Sequence, residues 1–252
     1  MAELLTGARA LVTGAGRGIG TEIARLLAAE GAAVAVSYRS SRDGADRVVE
    51  EIRGAGGRAV ALQADLMNAD DCQRLAGEAA DALGGLDILV NNAAGFGPLK
   101  PLADADWERI DDEWNIVVKP VVLLTRAVLP GFFAQKHGRI VNLAATVFYR
   151  PAVGYGPHAM AKGAVLAYTR TLAREVGPDG ITVNAVSPGV TMTEFSQSLP
   201  QEQKDAIAAR TPLRRLATPE DVAKAVVFFC TPLADFITGT NIAPDGGLAV
   251  LT

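Results

Sequence analysis

The stretch Thr13-Gly14-Ala15-Gly16-Arg17-Gly18-Ile19-Gly20 decides the fold. It joins a short apolar run, residues 8–13, to a pattern with helical spacing, residues 18–30. Glycines at such a junction permit a tight turn and let a pyrophosphate approach the amides that open the helix. Read in that context, the octapeptide predicts a dinucleotide-binding site at the end of the first strand.

Further apolar, β-branched runs cover residues 33–38, 58–64, 86–90, 139–145, 181–186 and 240–243. Helical patterns lie between them, at 41–55, 69–83, 106–135, 158–175 and 219–230. The strands are continuously apolar rather than alternating, as a parallel sheet covered on both faces requires. The pattern predicts an α/β, doubly wound Rossmann fold with seven mostly parallel strands, formed by residues 1–252 as a single domain. Gly31, Gly56-Gly57, Gly84-Gly85 and Gly177-Pro178 follow helices and are expected to cap them in the left-handed conformation. Residues 191–212 have the least regular pattern and are a candidate substrate lid.

The 252 residues are 49% hydrophobic and 21% charged, with a net charge of -4 spread along the chain. No basic block is available for nucleic acid or an anionic membrane, and no apolar run reads as a bilayer span or a signal segment, so a cytoplasmic protein is expected. Cys72 and Cys230 read as buried thiols, and His137 and His158 lack zinc-site spacing, so no metal is expected. His137 reads as a solvated turn residue, and Trp107 and Trp114, seven apart, as core or interface.

Several segments follow the glycine-rich turn in a fixed order: Ala64-Asp65-Leu66, Leu89-Val90-Asn91-Asn92-Ala93-Ala94-Gly95, Ser187-Pro188-Gly189, Ile237-Thr238-Gly239 and Asp245-Gly246-Gly247. With Thr13 to Gly20 they resemble the short-chain dehydrogenase/reductase family, including its acyl-thioester ketoreductases, over nearly the whole chain. The resemblance implies a nicotinamide cofactor held by Gly14, Arg17, Gly18 and Ile19, with Asp65 and Leu66 flanking the adenine. It also implies Asn92, Ala93 and Lys162 at the ribose, and Pro188, Gly189, Thr191 and Thr193 at the carboxamide. The second strand ends Tyr38-Arg39-Ser40-Ser41 without an acid for the ribose hydroxyls. Arg39 and Ser40, with Arg17, could receive a ribose phosphate, which favours NADP(H) over NAD(H).

The family's chemistry uses a serine, a tyrosine, a lysine and a helical asparagine that positions a water leading to the lysine. Here the Tyr-x-x-x-Lys motif reads His158-Ala159-Met160-Ala161-Lys162, the serine falls on Ala145 and the asparagine on Val117. Only the lysine is kept. In one reading the protein is an atypical carbonyl or alcohol oxidoreductase, with His158 donating the proton and Tyr155 or Thr146 supplying a displaced hydroxyl. In another it is a non-redox cyclase, isomerase or lyase using His158; in a third, an inactive subunit of a hetero-oligomer with an active homologue. His158 could also simply pack or cap its helix. A small-molecule substrate and a homo-oligomer are expected by resemblance.

Overall fold

In the computed structural model, which describes residues 3–95 and 97–249, seven strands form one sheet. They are β1 (Arg9–Val12), β2 (Ala33–Tyr38), β3 (Ala59–Gln63), β4 (Ile88–Asn91), β5 (Gly138–Leu143), β6 (Ile181–Val186) and β7 (Asn241–Ile242). The order is β3-β2-β1-β4-β5-β6-β7, and every pairing is parallel. The order reverses between β1 and β4, so loops leaving the carboxyl ends of these strands diverge and open a crevice.

Eight α-helices cover the sheet: α1 (Gly18–Ala29), α2 (Arg42–Gly54), α3 (Ala69–Leu83), α4 (Trp107–Gln135), α5 (Gly156–Val176), α6 (Glu194–Gln197), α7 (Gln201–Arg210) and α8 (Pro219–Cys230). Successive side chains of β1 explain why both faces need cover. Ala10 and Val12 join the core under α1, α2 and α8, whereas Leu11 joins the core under α3, α4 and α5. All of β4, β5 and β6 is buried, which accounts for their mainly apolar make-up; Asn91, Arg139, Asn142, Thr182 and Asn184 are buried polar residues within them.

Four local expectations are corrected. Gly177 is not a left-handed cap: its φ is −53°, because Pro178 continues the helical path into a short 3-10 turn, and Gly180 at φ 73° ends it. Residues 191–212 contain α6 and α7 rather than an irregular loop. Their short lengths, four and ten residues, leave little apolar periodicity to read. α4 is long and apolar enough to cross a membrane, against the expectation of no such run, but it packs between α3 and α5 as a core helix. Trp107 and Trp114 are 75% and 46% exposed, so they are not core residues in this chain; seven residues of spacing place them together on α4's outer side.

Beneath the crevice, buried amides and hydroxyls tie four elements together. Asn91 of β4 donates its amide to Asn142 Oδ1 of β5 at 2.8 Å and to Thr125 of α4 at 3.2 Å. Asn142 in turn donates to Thr169 of α5 at 2.9 Å, and Thr169 to the Val165 carbonyl. Replacing one member strands its partners without water. Asn142→Leu is therefore expected to destabilise the fold by roughly 1–3 kcal/mol, read as a lower urea midpoint.

Candidate active site

The glycine-rich turn is shaped by close approach. Gly14 and Gly18 have φ of 63° and 58°, which favours glycine. A Cβ on Gly20 would lie 2.5 Å from both Asn92 Nδ2 and the Gly14 carbonyl. Asn92 closes this contact by donating to the Thr13 carbonyl at 2.8 Å, while Thr13 Oγ1 accepts from the amides of Asn92 and Ala93. β4 and the turn are thus stitched together at the switch point. α1 starts at Arg17 with no side-chain cap and no acid in its first turn. The cradle that a Cβ would fill, joined to an uncapped helix start, fits a dinucleotide's pyrophosphate.

The other residues expected at the cofactor border the same crevice. Asp65 and Leu66 follow β3, where the Asp65 amide donates to Asp71 Oδ2 at 2.8 Å and Leu66 is buried. Arg39 and Ser40 follow β2 and are exposed, as is Arg17. Pro188 and Gly189 follow β6, and the Thr146 hydroxyl donates to the Pro188 carbonyl at 3.2 Å. That hydroxyl bond braces two loops beside Ala145. Thr193 opens α6 in a reciprocal cap with Ser196, and Thr191 bonds the Gly189 carbonyl. Thr193 and Glu194 stand across from Gly18, within 3.6 Å of where its Cβ would be.

On α5, His158 and Lys162 are one turn apart and both buried. Lys162 donates to the Leu143 carbonyl at the end of β5 at 2.6 Å. Burial pushes its ammonium down to about 8, only partly opposed by the charge of Glu113. Tyr155 is the N-cap residue of α5, and Val117 lies in an apolar seam with Val118, Val121, Ala161 and Val165.

The sequence reading missed the partner of His158. Glu113 of α4 has no exposed surface, and its Oε1 lies 2.5 Å from His158 Nδ1. Its Oε2 accepts from Arg109 Nη2 at 2.6 Å. Burial alone would push the Glu113 carboxyl up, but the hydrogen bonds from His158 and Arg109 hold it below the usual carboxylate range. Burial also lowers His158, against the pull of Glu113, and the Lys162 charge adds to the lowering. Both directions favour an anionic carboxylate beside a neutral imidazole. A carboxylate can only accept, so Nδ1 carries the ring proton and Nε2 is the basic nitrogen. The i,i+4 spacing of Arg109 and Glu113 was visible in the sequence but reads as a surface pair; only the packing of α4 on α5 buries it.

Elsewhere, a depression of about 630 Å³ lined by Arg9, Arg25, Glu51 and Arg58 opens at the amino ends of the strands, away from this crevice. Among the described residues, no cluster of three His, Cys, Asp or Glu side chains could hold a metal. Cys72 and Cys230 are free and buried, with thiols pushed up to about 11 and about 12 by burial, and His137 is exposed.

Lys162 has a measurable signature. Its folded pKa lies below its unfolded value of 10.5, so between pH 8 and 10.5 the unfolded chain binds the extra proton and stability rises with pH. Lys162→Met lacks this charge, so at pH 7 it is expected to be more stable than the parent by roughly 1–3 kcal/mol. The advantage should shrink as denaturation is repeated from pH 8 upward.

Comparison with known proteins identifies the family. A family model described as enoyl-(acyl carrier protein) reductase matches residues 14–249. A 3-oxoacyl-(acyl-carrier-protein) reductase of Synechocystis is 39% identical over 249 residues, 98% of each chain. The corresponding reductase of Staphylococcus epidermidis is 37% identical over 95% of this chain and 98% of its own. Among solved structures, a short-chain dehydrogenase of Burkholderia cenocepacia in complex with NADP superposes with a TM-score of 0.87 at 39% identity, covering 97% of this chain and 99% of that one. A 7α-hydroxysteroid dehydrogenase complexed with NADH and 7-oxo glycochenodeoxycholic acid gives 0.93 at 34% identity, covering 100% and 98%. The chain belongs to the short-chain dehydrogenase/reductase family.

Proposed function

We propose that the protein is an NADP(H)-dependent oxidoreductase that interconverts an alcohol and a carbonyl, with His158 carrying the proton. The observation behind this reading is the ring of His158, fixed by a buried carboxylate one helical turn before Lys162; the family's Tyr-x-x-x-Lys motif, counted back from Lys162, would put its tyrosine at this position. A neutral imidazole with a basic Nε2 is suited to take the proton of an alcohol and, in reverse, to return it to a carbonyl oxygen. The nicotinamide, when bound, supplies or accepts the hydride. Lys162 binds the adjoining ribose, and its charge near His158 keeps the ring in the neutral form. Tyr155, at the start of the same helix, lines the substrate side.

The cofactor is held by the amides of Gly14, Arg17, Gly18 and Ile19, by Asp65 and Leu66 at the adenine, and by Asn92 and Ala93 at the ribose. Pro188, Gly189, Thr191 and Thr193 meet the carboxamide, and residues 191–212 close over it, starting from the position of Thr193 beside the glycine turn. The preference for NADP(H) rests on Arg39, Ser40 and Arg17, exposed at the end of β2 and the start of α1, with no acid at the end of β2. Similar structures carry either cofactor, NADP in the Burkholderia neighbour and NADH in the 7α-hydroxysteroid dehydrogenase, so the preference stands on this chain's own residues. The relatives' 3-oxoacyl substrates and the 7-oxo bile acid of another neighbour suggest a carbonyl on a bulky organic molecule.

Two measurements bear on this. NADPH is expected to raise the melting temperature more than NADH does, and Arg39→Ala to remove most of the difference, lowering NADPH affinity by roughly tenfold for the loss of a charge-assisted contact. Equal stabilisation by both cofactors would remove the preference. In an assay of alcohol oxidation and carbonyl reduction, His158→Phe is expected to lower kcat by about 10²–10⁴, the usual worth of a general acid or base. Unchanged turnover would reject the role of His158.

A further inference from the structure

Glu113 is not among the positions at which the family keeps its catalytic groups, yet it is the most completely buried charge in the crevice wall. Its two oxygens are divided between two donors on two helices: Oε2 to Arg109 on α4, and Oε1 to His158 on α5. Arg109 is itself fixed, since its Nε donates to the Pro98 carbonyl of the loop after β4 at 3.1 Å. A buried ion pair of this kind is costly to form and weak as a stabiliser, which asks what else it does.

We infer that Glu113 is a positioning residue for proton transfer: clamped by Arg109, it accepts the Nδ1 proton of His158 and so makes Nε2 the nitrogen that exchanges a proton with the substrate. The inference rests on the reading that His158 carries that proton. In alcohol oxidation the substrate O–H bond breaks and its proton bonds to Nε2, while the C–H electron pair leaves as hydride to the oxidised nicotinamide and the C=O bond forms. The ring becomes an imidazolium with Glu113 against its other N–H, and the opposite charge stabilises it as it forms. In reduction the imidazolium returns the same proton to the carbonyl oxygen. The charged groups facing His158 are Glu113 and Arg109 from α4 and Lys162 from its own helix. Glu113 alone favours the imidazolium; the two cations oppose it.

The test is Glu113→Gln in the full chain. The amide can still accept from Nδ1, so the ring stays oriented while the charge is lost. Rates of alcohol oxidation, which need the neutral ring, should then have their acid limb displaced to lower pH, with plateau kcat lowered at least ~10-fold and KM little changed. A purely structural role would leave the limb in place. The chain has two histidines, so in a His137→Asn background the imidazole NMR signals belong to His158 alone. A far-downfield Nδ1-bound proton is expected, moving upfield in Glu113→Gln. An Nε2-protonated ring, or a pH profile untouched by Glu113→Gln in an enzyme that His158→Phe inactivates, would overturn the inference while leaving His158's role intact. Full activity in His158→Phe would instead remove the reading on which it rests. Should Glu113→Gln fail to fold because Arg109 is left unpaired, Arg109→Met with Glu113→Gln removes the stranded charge, and the same NMR and pH readings apply.

Discussion

A carboxylate with no exposed surface persists only where its lone pairs are met, and the arrangement around Glu113 follows from that requirement. Arg109 and His158 approach it from one turn earlier on α4 and from the start of α5, so the two helices are locked in register at the crevice. The same lock sets the imidazole tautomer. Charge neutrality in that pocket is close: one anion faces one permanent cation, a lysine whose charge burial disfavours and a ring kept neutral. Each group's protonation state depends on the others.

The frame beneath this pocket is conventional. Asn91, Asn142, Thr125 and Thr169 bridge two strands and two helices with buried hydrogen bonds, and Asn92 and Thr13 bind the glycine turn to β4. The glycine turn and the strand ends beside it are therefore braced by contacts that do not involve Ala145, His158 or Val117. A sheet held in this way tolerates changed chemistry at its rim because the polar contacts that fix the rim lie one layer below.

Most of the fold was legible in the sequence because its signals are local. The runs at residues 33–38 and 181–186 match the observed bounds of β2 and β6, and Gly84 ends α3 as its left-handed cap residue. The shorter edge of the sheet was less distinct: β7 is two residues long, too short for any period. At the site, glycine spacing showed where a dinucleotide would lie, since a missing side chain is itself the signal. The positions of His158 and Lys162 were readable by counting. Glu113 was not, because an acid flanked by Asp111, Asp112 and Trp114 looks like a solvated helix face until a second helix, more than forty residues later, covers it.

The seam between α4 and α5 has a kinetic meaning under the proposed chemistry. Val117 packs with Val118, Val121, Ala161 and Val165, so this stretch of the space between the helices is filled with hydrocarbon. Hydrocarbon does not conduct protons. Under the proposed chemistry, this seam offers a proton gained by the ring no path of its own, and a solvent isotope effect would report on the route the proton takes instead.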